Sequence, residues 1–277
     1  MKKACVIGWP IEHSRSPLIH GYWLKKYDID GAYTKLAVKP EDVSEFLQSL
    51  GASGFSGCNV TVPHKEAAFA IADTKHPSAV AVGAANTIWL EDGGIVCANT
   101  DTYGFMMHLL GEAPQWFNAD RPVAILGAGG AARAIIYGLL KAGVSDIRVF
   151  NRSRDRALEL AAHFGARVTA EVWAAFEEST LRFSVVVNTT TLGMKGQTDV
   201  TFDLDHLPND CVVADIVYVP LETGLLRRAR ARGLQTVAGL GMLLHQAVPG
   251  FEKWFGVKPE VTADLRALLE ADIRGAS

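Results

Sequence analysis

Val123-Ala124-Ile125-Leu126-Gly127-Ala128-Gly129-Gly130-Ala131-Ala132-Arg133 is the stretch from which the fold can be read. Val123 to Leu126 is a short apolar run between Pro122 and Gly127 and predicts a buried strand; the run Ala131 to Lys141 has helical composition and stops at Gly143. Strand, glycine loop and helix in this order form the context in which G-x-G-x-x-G/A holds a dinucleotide. In that arrangement Gly127 makes the turn, Gly129 lets the backbone approach a pyrophosphate, and Ala132 permits close helix–strand contact. The helix N-terminus then presents free N–H groups and a partial positive charge to the anion. The structural alternative is a tight βα turn in an unrelated α/β domain; an intact strand and helix on either side favour the dinucleotide.

Working outward, a series of alternating strands and helices follows. Strands are expected at Val123–Leu126, Asp146–Phe150, Val185–Asn188, Val212–Asp215 and Gln235–Ala238, with helices near Ala131–Lys141, Asp155–Phe164, Glu171–Phe176 and Glu222–Arg232. This is the doubly wound, Rossmann-type pattern, in which ligands sit beyond the carboxyl ends of the strands. The first hundred residues carry a separate series. Strands are expected at Ala4–Gly8, Tyr33–Val38 and Gly57–Val62, and a hairpin turns at Asp92-Gly93-Gly94. Ser16 is placed as N-cap of a helix with Pro17 at its first position, Pro40 opens a second helix, and Pro63 starts a third. Such a layer implies a largely parallel sheet with one antiparallel edge. Gly239 to Ile273 is helical by periodicity, interrupted at Pro249, with no strand to extend the second sheet. It is therefore expected to pack elsewhere, back on the first domain. The expected division is 1–103, 104–238 and 239–277: a discontinuous substrate domain around a dinucleotide domain.

Composition narrows the partners. A chain of 277 residues with 49% apolar and 21% charged residues is ordinary for two globular cores. A net charge of −3 implies no basic face for a nucleic acid. Cys5, Cys58, Cys97 and Cys211 sit singly in apolar runs, without metal-ligand spacing, as reduced thiols would. The apolar run after Met1-Lys2-Lys3 ends at Gly8, too early for a signal peptide, and no uncharged stretch reaches membrane-spanning length. A soluble cytoplasmic protein without metal, membrane or nucleic-acid partners is expected.

The second strand of the dinucleotide domain ends Phe150-Asn151-Arg152-Ser153-Arg154-Asp155-Arg156. An acidic residue in this slot accepts the ribose hydroxyl of NAD, whereas guanidinium groups bind a 2′-phosphate through charge-assisted hydrogen bonds. Arg152, Arg154 and Arg156 together favour NADP over a merely solvated helix face. In the first domain, three polar clusters fall where loops leave strands: Ser14-Arg15-Ser16, Asn59-Val60-Thr61 through Lys65, and Asn99-Thr100-Asp101. Hydroxyls and amides so placed suit a small polyhydroxylated or carboxylated ligand. Lys65 and Asp101 are the strong acid/base pair the clusters offer, and hydride transfer to a carbonyl needs such a partner to move a proton. Ser16 and Asp101 taken singly could be helix caps, and Asn86 a turn residue; Lys65 at a helix start meets the wrong end of the dipole and is the least explained by structure. His13, His20, His64 and His245 show no metal-ligand spacing.

Together these motifs resemble the shikimate dehydrogenase family over nearly the whole chain. The carriers are Gly8-Trp-Pro-Ile-Glu-His-Ser14-Arg-Ser16-Pro, Asn59-Val-Thr61-Val-Pro-His-Lys65-Glu, Gly83-Ala-Ala-Asn86-Thr, Asn99-Thr-Asp101, the glycine loop, Asn151-Arg152-Ser153 and Gly239-Leu-Gly-Met242-Leu-Leu-His-Gln246. The resemblance implies NADP-dependent interconversion of 3-dehydroshikimate and shikimate in aromatic amino-acid biosynthesis. It implies that Ser14, Ser16 and Tyr218 meet the substrate carboxylate, and that Asn59, Thr61, Lys65, Asn86, Asp101 and Gln246 surround the ring hydroxyls. Lys65 and Asp101 match the family's catalytic pair. For the cofactor it implies Gly127 to Ala131 at the pyrophosphate, Arg152 and Arg156 at the 2′-phosphate, and Thr190, Ile216, Gly239 and Met242 on the nicotinamide side. Ser153 stands where the family usually has Thr and keeps the hydroxyl, and no cofactor contact is carried over to Pro77. Quinate-using relatives often have Thr at the second serine and an acid in the cofactor loop, so Ser16 and Arg152 favour shikimate and NADP. A broader quinate/shikimate dehydrogenase and a non-catalytic NADP-binding regulator are the alternatives. A small-molecule substrate is the expected partner, and the oligomeric state stays open between monomer and homodimer.

Overall fold

The computed structural model of the chain describes residues 1–275; positions 276–277, which belong to the expected C-terminal segment, lie outside the described residues. Twelve strands form two six-stranded sheets. The described residues divide into two compact units, Met1–Gly104 with Leu244–Asp272, and Phe105–Leu243 with residues 273–275.

The first unit is built on β1 (Lys2–Gly8), β2 (Gly31–Ala37), β3 (Gly57–Val60), β4 (Thr74–Lys75), β5 (Thr87–Glu91) and β6 (Gly94–Ala98). Their order across the sheet is β2-β1-β3-β5-β6-β4. β1 runs parallel to β2 and β3, β5 is antiparallel to both its neighbours, and β4 is parallel to β6. The single opposed strand is thus interior, not at the edge as the sequence suggests. The two-residue β4, too short to show alternation, adds to the far side of the hairpin and closes that edge.

Between the strands lie α1 (Ser16–Lys26), α2 (Val43–Gln48), α3 (Lys65–Ile71), α4 (Pro77–Val82) and α5 (Asp101–Glu112). Two expected starts move. The N-cap of α1 is Arg15, not Ser16, because the Arg15 carbonyl accepts the first bonds, from the N–H groups of Leu18 and Ile19. Likewise α3 begins at Lys65 rather than Pro63: residues Thr61 to His64 close a turn of their own, and the first helical bond runs from Ala68 N–H to the His64 carbonyl.

The second unit carries β7 (Val123–Leu126), β8 (Ile147–Asn151), β9 (Val168–Val172), β10 (Val185–Asn188), β11 (Val212–Asp215) and β12 (Gln235–Val237), with α6 (Gly130–Lys141), α7 (Arg154–Phe164) and α8 (Gly224–Ala231). The order β12-β11-β10-β7-β8-β9, parallel at every described pairing, is doubly wound about β7. The switch point, where such folds bind ligands, falls between β7 and β10. β9 occupies part of the segment expected as helix at Glu171–Phe176. The run Val168-Thr169-Ala170-Glu171-Val172 pairs instead with β8, leaving only a short 3₁₀ turn at Trp173–Phe176.

The chain ends in α9 (Leu240–Phe255) and α10 (Ala263–Gly275). Pro249 lies inside α9 without interrupting it. A proline there costs about 3 kcal/mol in an exposed helix. Here Leu244, Ala247, Val248, Phe251 and Trp254 are buried around it, and that burial offsets the missing bond. Within the first unit, the Trp254 indole N–H donates to the Ile88 carbonyl of β5 (2.8 Å), and that of Trp23 to the Glu260 carbonyl (2.9 Å).

Candidate active site

In the first unit, the carboxyl ends of β1, β3 and β6 each release a polar segment: Trp9–Ser16, Thr61–Lys65 and Asn99–Asp101. α3 and α5 start on the last residue of the second and third of these. Lys65 is the first residue of α3 and Asp101 the first of α5. The Lys65 ammonium donates to Asp101 Oδ2 at 2.9 Å, with side chains 32% and 18% exposed. The pair is therefore reachable by a ligand yet shielded enough for its charges to matter. The other carboxylate oxygen, Oδ1, accepts from Asn86 Nδ2 at 2.8 Å. Asp101 is thus engaged by side chains rather than capping its helix. α5 opens instead from the Thr100 carbonyl, which accepts from Gly104 N–H.

Asn86 is buried at the start of the hairpin, not exposed on a turn. Its Nδ2 also lies 3.5 Å from Gln246 Oε1 on α9. Asn59, on β3, accepts from the Tyr33 hydroxyl at 2.6 Å and donates to the Asn86 carbonyl at 3.1 Å. Thr61 follows directly, its N–H bonded to the Ile7 carbonyl. Ser14 and Ser16 sit together, Ser16 N–H facing Ser14 Oγ at 3.4 Å, and the intervening Arg15 is paired with Asp272 of α10 at 2.8 Å. Lys65, Asp101, Asn59, Thr61, Asn86, Gln246, Ser14 and Ser16 all belong to this unit; Tyr218 lies in the other, on the turn after β11. An ammonium beside a carboxylate, ringed by amides and hydroxyls, can exchange a proton with a substrate oxygen while hydrogen-bonding neighbouring hydroxyls.

Two buried side chains behind these residues, Tyr33 and His20, are not among the site residues expected from the sequence. Tyr33 stacks on His20 with ring centroids 3.9 Å apart. Burial drives the His20 imidazole down to about 3, against a smaller opposing contribution from Asn59, so the ring is neutral at physiological pH. The sequence places Tyr33 on a strand but carries no sign of its hydroxyl's partner. His64 is a packing residue, its ring Nε2 2.8 Å from the Val38 carbonyl.

In the second unit, the glycine loop sits at the switch point. Gly127 has φ +107°, and a Cβ there would meet Thr189 Oγ1 and Thr190 Cγ2 at 2.8 Å. At Gly129 and Gly130 a Cβ would meet no protein atom within 4 Å. These two keep clear the approach to the N-terminus of α6, where Gly129 is the cap and brings no side-chain hydrogen bond of its own to the free N–H groups. Ala132, fully buried, packs the helix on its strand. Beyond β8, the Asn151 amide donates to the Ser153 carbonyl at 2.7 Å. Arg152, Arg154 and Arg156 are all exposed, and among the described residues none of them is in an ion pair with a carboxylate. This donor set, an anion-ready helix end followed by three uncommitted guanidinium groups, fits a dinucleotide carrying an extra phosphate.

Further along the same edge, Thr190 donates through both N–H and hydroxyl to Asn188 Oδ1 (3.1 and 2.7 Å), and Asn188 Nδ2 donates to Asp215 Oδ1 (3.0 Å). Burial pushes the Asp215 carboxyl up to about 6, resisted by donors from Val217, Thr223 and Asn188. Ile216 follows Asp215, and Gly239 is packed so closely on the Ile216 carbonyl that a Cβ would clash. Ala128, Ile216 and Met242 pack on one apolar cluster.

Comparison with known proteins agrees along the chain. Residues 6–88 match the shikimate dehydrogenase substrate binding domain, residues 112–194 the shikimate / quinate 5-dehydrogenase family, and residues 239–269 the shikimate 5′-dehydrogenase C-terminal domain. A relative from Brucella canis named shikimate dehydrogenase (NADP(+)) is 54% identical over 278 aligned positions, covering 99% of this chain and 96% of its own. Among solved structures, shikimate 5-dehydrogenase from Thermus thermophilus, in complex with NADP(H) and shikimate, superposes with a TM-score of 0.84 at 33% identity, covering 100% of both chains. Quinate dehydrogenase from Corynebacterium glutamicum in complex with NAD gives a TM-score of 0.89 at 29% identity, covering 98% of this chain and 99% of its own.

Proposed function

From the premise that the chain belongs to the shikimate dehydrogenase family, we propose that it reversibly reduces 3-dehydroshikimate to shikimate with NADP, a step of aromatic amino-acid biosynthesis. The observation that carries this reading is the Lys65–Asp101 pair at 2.9 Å, set among the amides and hydroxyls of one unit. NADPH, when bound, supplies the hydride that the ketone carbon accepts. Lys65 gives a proton to the ketone oxygen as the hydride arrives, and takes it back in the oxidative direction. Asp101, held by Asn86, keeps the ammonium aimed at that oxygen. Ser14, Ser16 and Tyr218 hold the substrate carboxylate, and Asn59, Thr61, Asn86 and Gln246 take the ring hydroxyls. Gly127 to Ala131 receive the pyrophosphate on the N-terminus of α6. Asn151, Arg152, Ser153, Arg154 and Arg156 enclose the 2′-phosphate, and Thr190, Ile216, Gly239 and Met242 border the nicotinamide.

Shikimate with NADP is preferred to quinate with NAD because Ser16 and Arg152 occupy the discriminating slots, and the relative at 54% identity is named for NADP. Steady-state rates with shikimate or quinate, each with NADP or NAD, test the proposal. The shikimate–NADP combination should give the highest kcat/KM, and Lys65→Ala should lose kcat by about 10²–10⁴-fold. Activity no higher than that of Lys65→Ala would remove it, and a KM rise at unchanged kcat would reassign Lys65 to binding. No helix among the described residues is long and apolar enough to cross a membrane. With four free, buried cysteines, the reading places the enzyme in the reducing cytoplasm. Cell fractionation tests that location, and light scattering decides between monomer and homodimer.

A further inference from the structure

Thr87 is the first residue of β5, directly opposite Asn59 of β3, and is fully buried. A strand position of this kind is filled equally well by valine, so the hydroxyl calls for its own explanation. Its neighbours supply one. Thr87 Oγ1 accepts from Asn59 Nδ2 at 3.3 Å and donates to Asn86 Oδ1 at 3.0 Å. We propose that Thr87 is a positioning residue that ties the two site amides together and, through Asn86, steadies the carboxylate that holds Lys65. The proposal rests on the function assigned above.

The polarity of the chain is fixed at both ends by backbone groups, which cannot exchange donor for acceptor. Thr100 N–H points at the Asn86 side chain from 2.8 Å, so the atom it meets is the oxygen. Asn59 faces the Asn86 carbonyl from 3.1 Å, so the atom it presents is the nitrogen. Between these two settings, the Thr87 hydroxyl accepts from the first amide and donates to the second, with the Thr100 hydroxyl a further neighbour 3.1 Å from both Thr87 Oγ1 and Asn86 Oδ1. The remaining Asn86 group is then an NH₂, directed at Asp101 Oδ1 at 2.8 Å, while Asp101 Oδ2 receives the Lys65 ammonium at 2.9 Å. A flipped Asn86 would set its oxygen against the carboxylate and release Asp101. Buried networks of this kind hold a unique geometry when every member is satisfied.

The test compares Thr87→Val, Thr87→Ser and Thr87→Ala in the full-length enzyme, reading kcat and KM with shikimate and NADP, shikimate Kd by calorimetry, and Tm. Thr87→Val should lose kcat by about 10-fold or more, since small misplacements of reacting groups cost up to about 10²-fold, while keeping its Tm. Thr87→Ser, which keeps the hydroxyl, should stay within about threefold of wild type, and Thr87→Ala should fall about tenfold below Thr87→Ser. Wild-type kcat in Thr87→Val, or equal loss in Thr87→Ser and Thr87→Ala, overturns the proposal, because methyl packing would then be what matters. Should Thr87→Val fail to fold, the Ser-to-Ala ratio decides. An inactive wild type defeats the functional assignment instead; the calorimetric comparison still separates the variants.

Discussion

Replacing Asp101 by asparagine keeps the shape of the side chain and removes its charge, and the geometry says that shape alone is not enough. The carboxylate has two engagements of opposite origin but identical demand: Oδ2 accepts from the Lys65 ammonium at 2.9 Å and Oδ1 from the Asn86 amide at 2.8 Å. Asparagine has one acceptor. With its oxygen toward Lys65, its NH₂ opposes the Asn86 NH₂ in a half-buried site, leaving unpaired donors at a cost of about 1–3 kcal/mol. With its oxygen toward Asn86, the NH₂ faces the ammonium, and a charge-assisted bond of about 1.5–3 kcal/mol is lost. At about 1.4 kcal/mol per factor of ten, these costs lower kcat/KM by about 5- to 150-fold. Asp101→Asn is therefore expected to be nearly as damaging as Asp101→Ala, within about threefold, in steady-state assays following NADPH with shikimate as substrate. A variant Asp101→Asn with more than a third of wild-type kcat/KM, beside a strongly impaired Asp101→Ala, would refute the reasoning, because one acceptor would then suffice.

Three other outcomes follow from the same coordinates. Arg152→Ala should weaken NADP binding by about 10- to 100-fold, the range of a lost charge-assisted bond, and leave NAD binding unchanged; equal losses for both cofactors in fluorescence titration would remove Arg152 from the 2′-phosphate. Gly127→Ala should lower the midpoint of urea unfolding by a margin worth more than about 1 kcal/mol, since φ is +107° and the new methyl meets Thr189 and Thr190; an unchanged midpoint would show that the turn relaxes freely. The two buried titrating groups predict opposed pH dependences. His20, lowered from 6.5 to about 3, binds its proton only in the unfolded chain across that interval, so its contribution to stability is full above pH 6.5 and is lost as pH falls toward about 3. Asp215, raised from 3.8 to about 6, binds its proton preferentially in the folded chain, so stability is lost as pH rises through that window. Unfolding measured across the overlap, about pH 4 to 6, should show His20→Leu losing stability as pH rises and Asp215→Asn losing it as pH falls; parallel profiles for both variants would contradict both assignments.

What could be read from the sequence, and what could not, divides along a physical line. Gly127, Gly129 and Ala132 are legible because a strand, a loop of small residues and a helix impose local demands, and the dominant contacts are a few residues apart. Lys65 and Asp101 are legible for a related reason. Each stands at a strand-to-helix junction, where a doubly wound layer collects its polar ends, so a sequence separation of 36 does not hide the 2.9 Å pairing. The edge strands β4 and β9 are not legible in this way, since a two-residue bridge and a half-exposed run such as Val168–Val172 become strands only when a neighbour offers its open edge. Pro249 misleads in the same direction: the local rule for proline is outweighed by the burial of the residues around it, which no short window contains.

Thr87 marks the far end of that line. Its backbone state follows from β-branching, and both that state and its burial, shared with Ile88 and Trp89 beside it, suit valine equally. Only the register of β3 against β5, which sets Asn59 opposite Thr87, and the turn that brings Thr100 N–H to Asn86 give the hydroxyl work to do. A catalytic carboxylate announces itself by being charged where charge is expensive, whereas the group that aims it is neutral, satisfied and hidden. Such a residue is recognised by tracing donors and acceptors outward from the reactive pair until the chain ends on backbone, as it does here at Asn86 and Thr100.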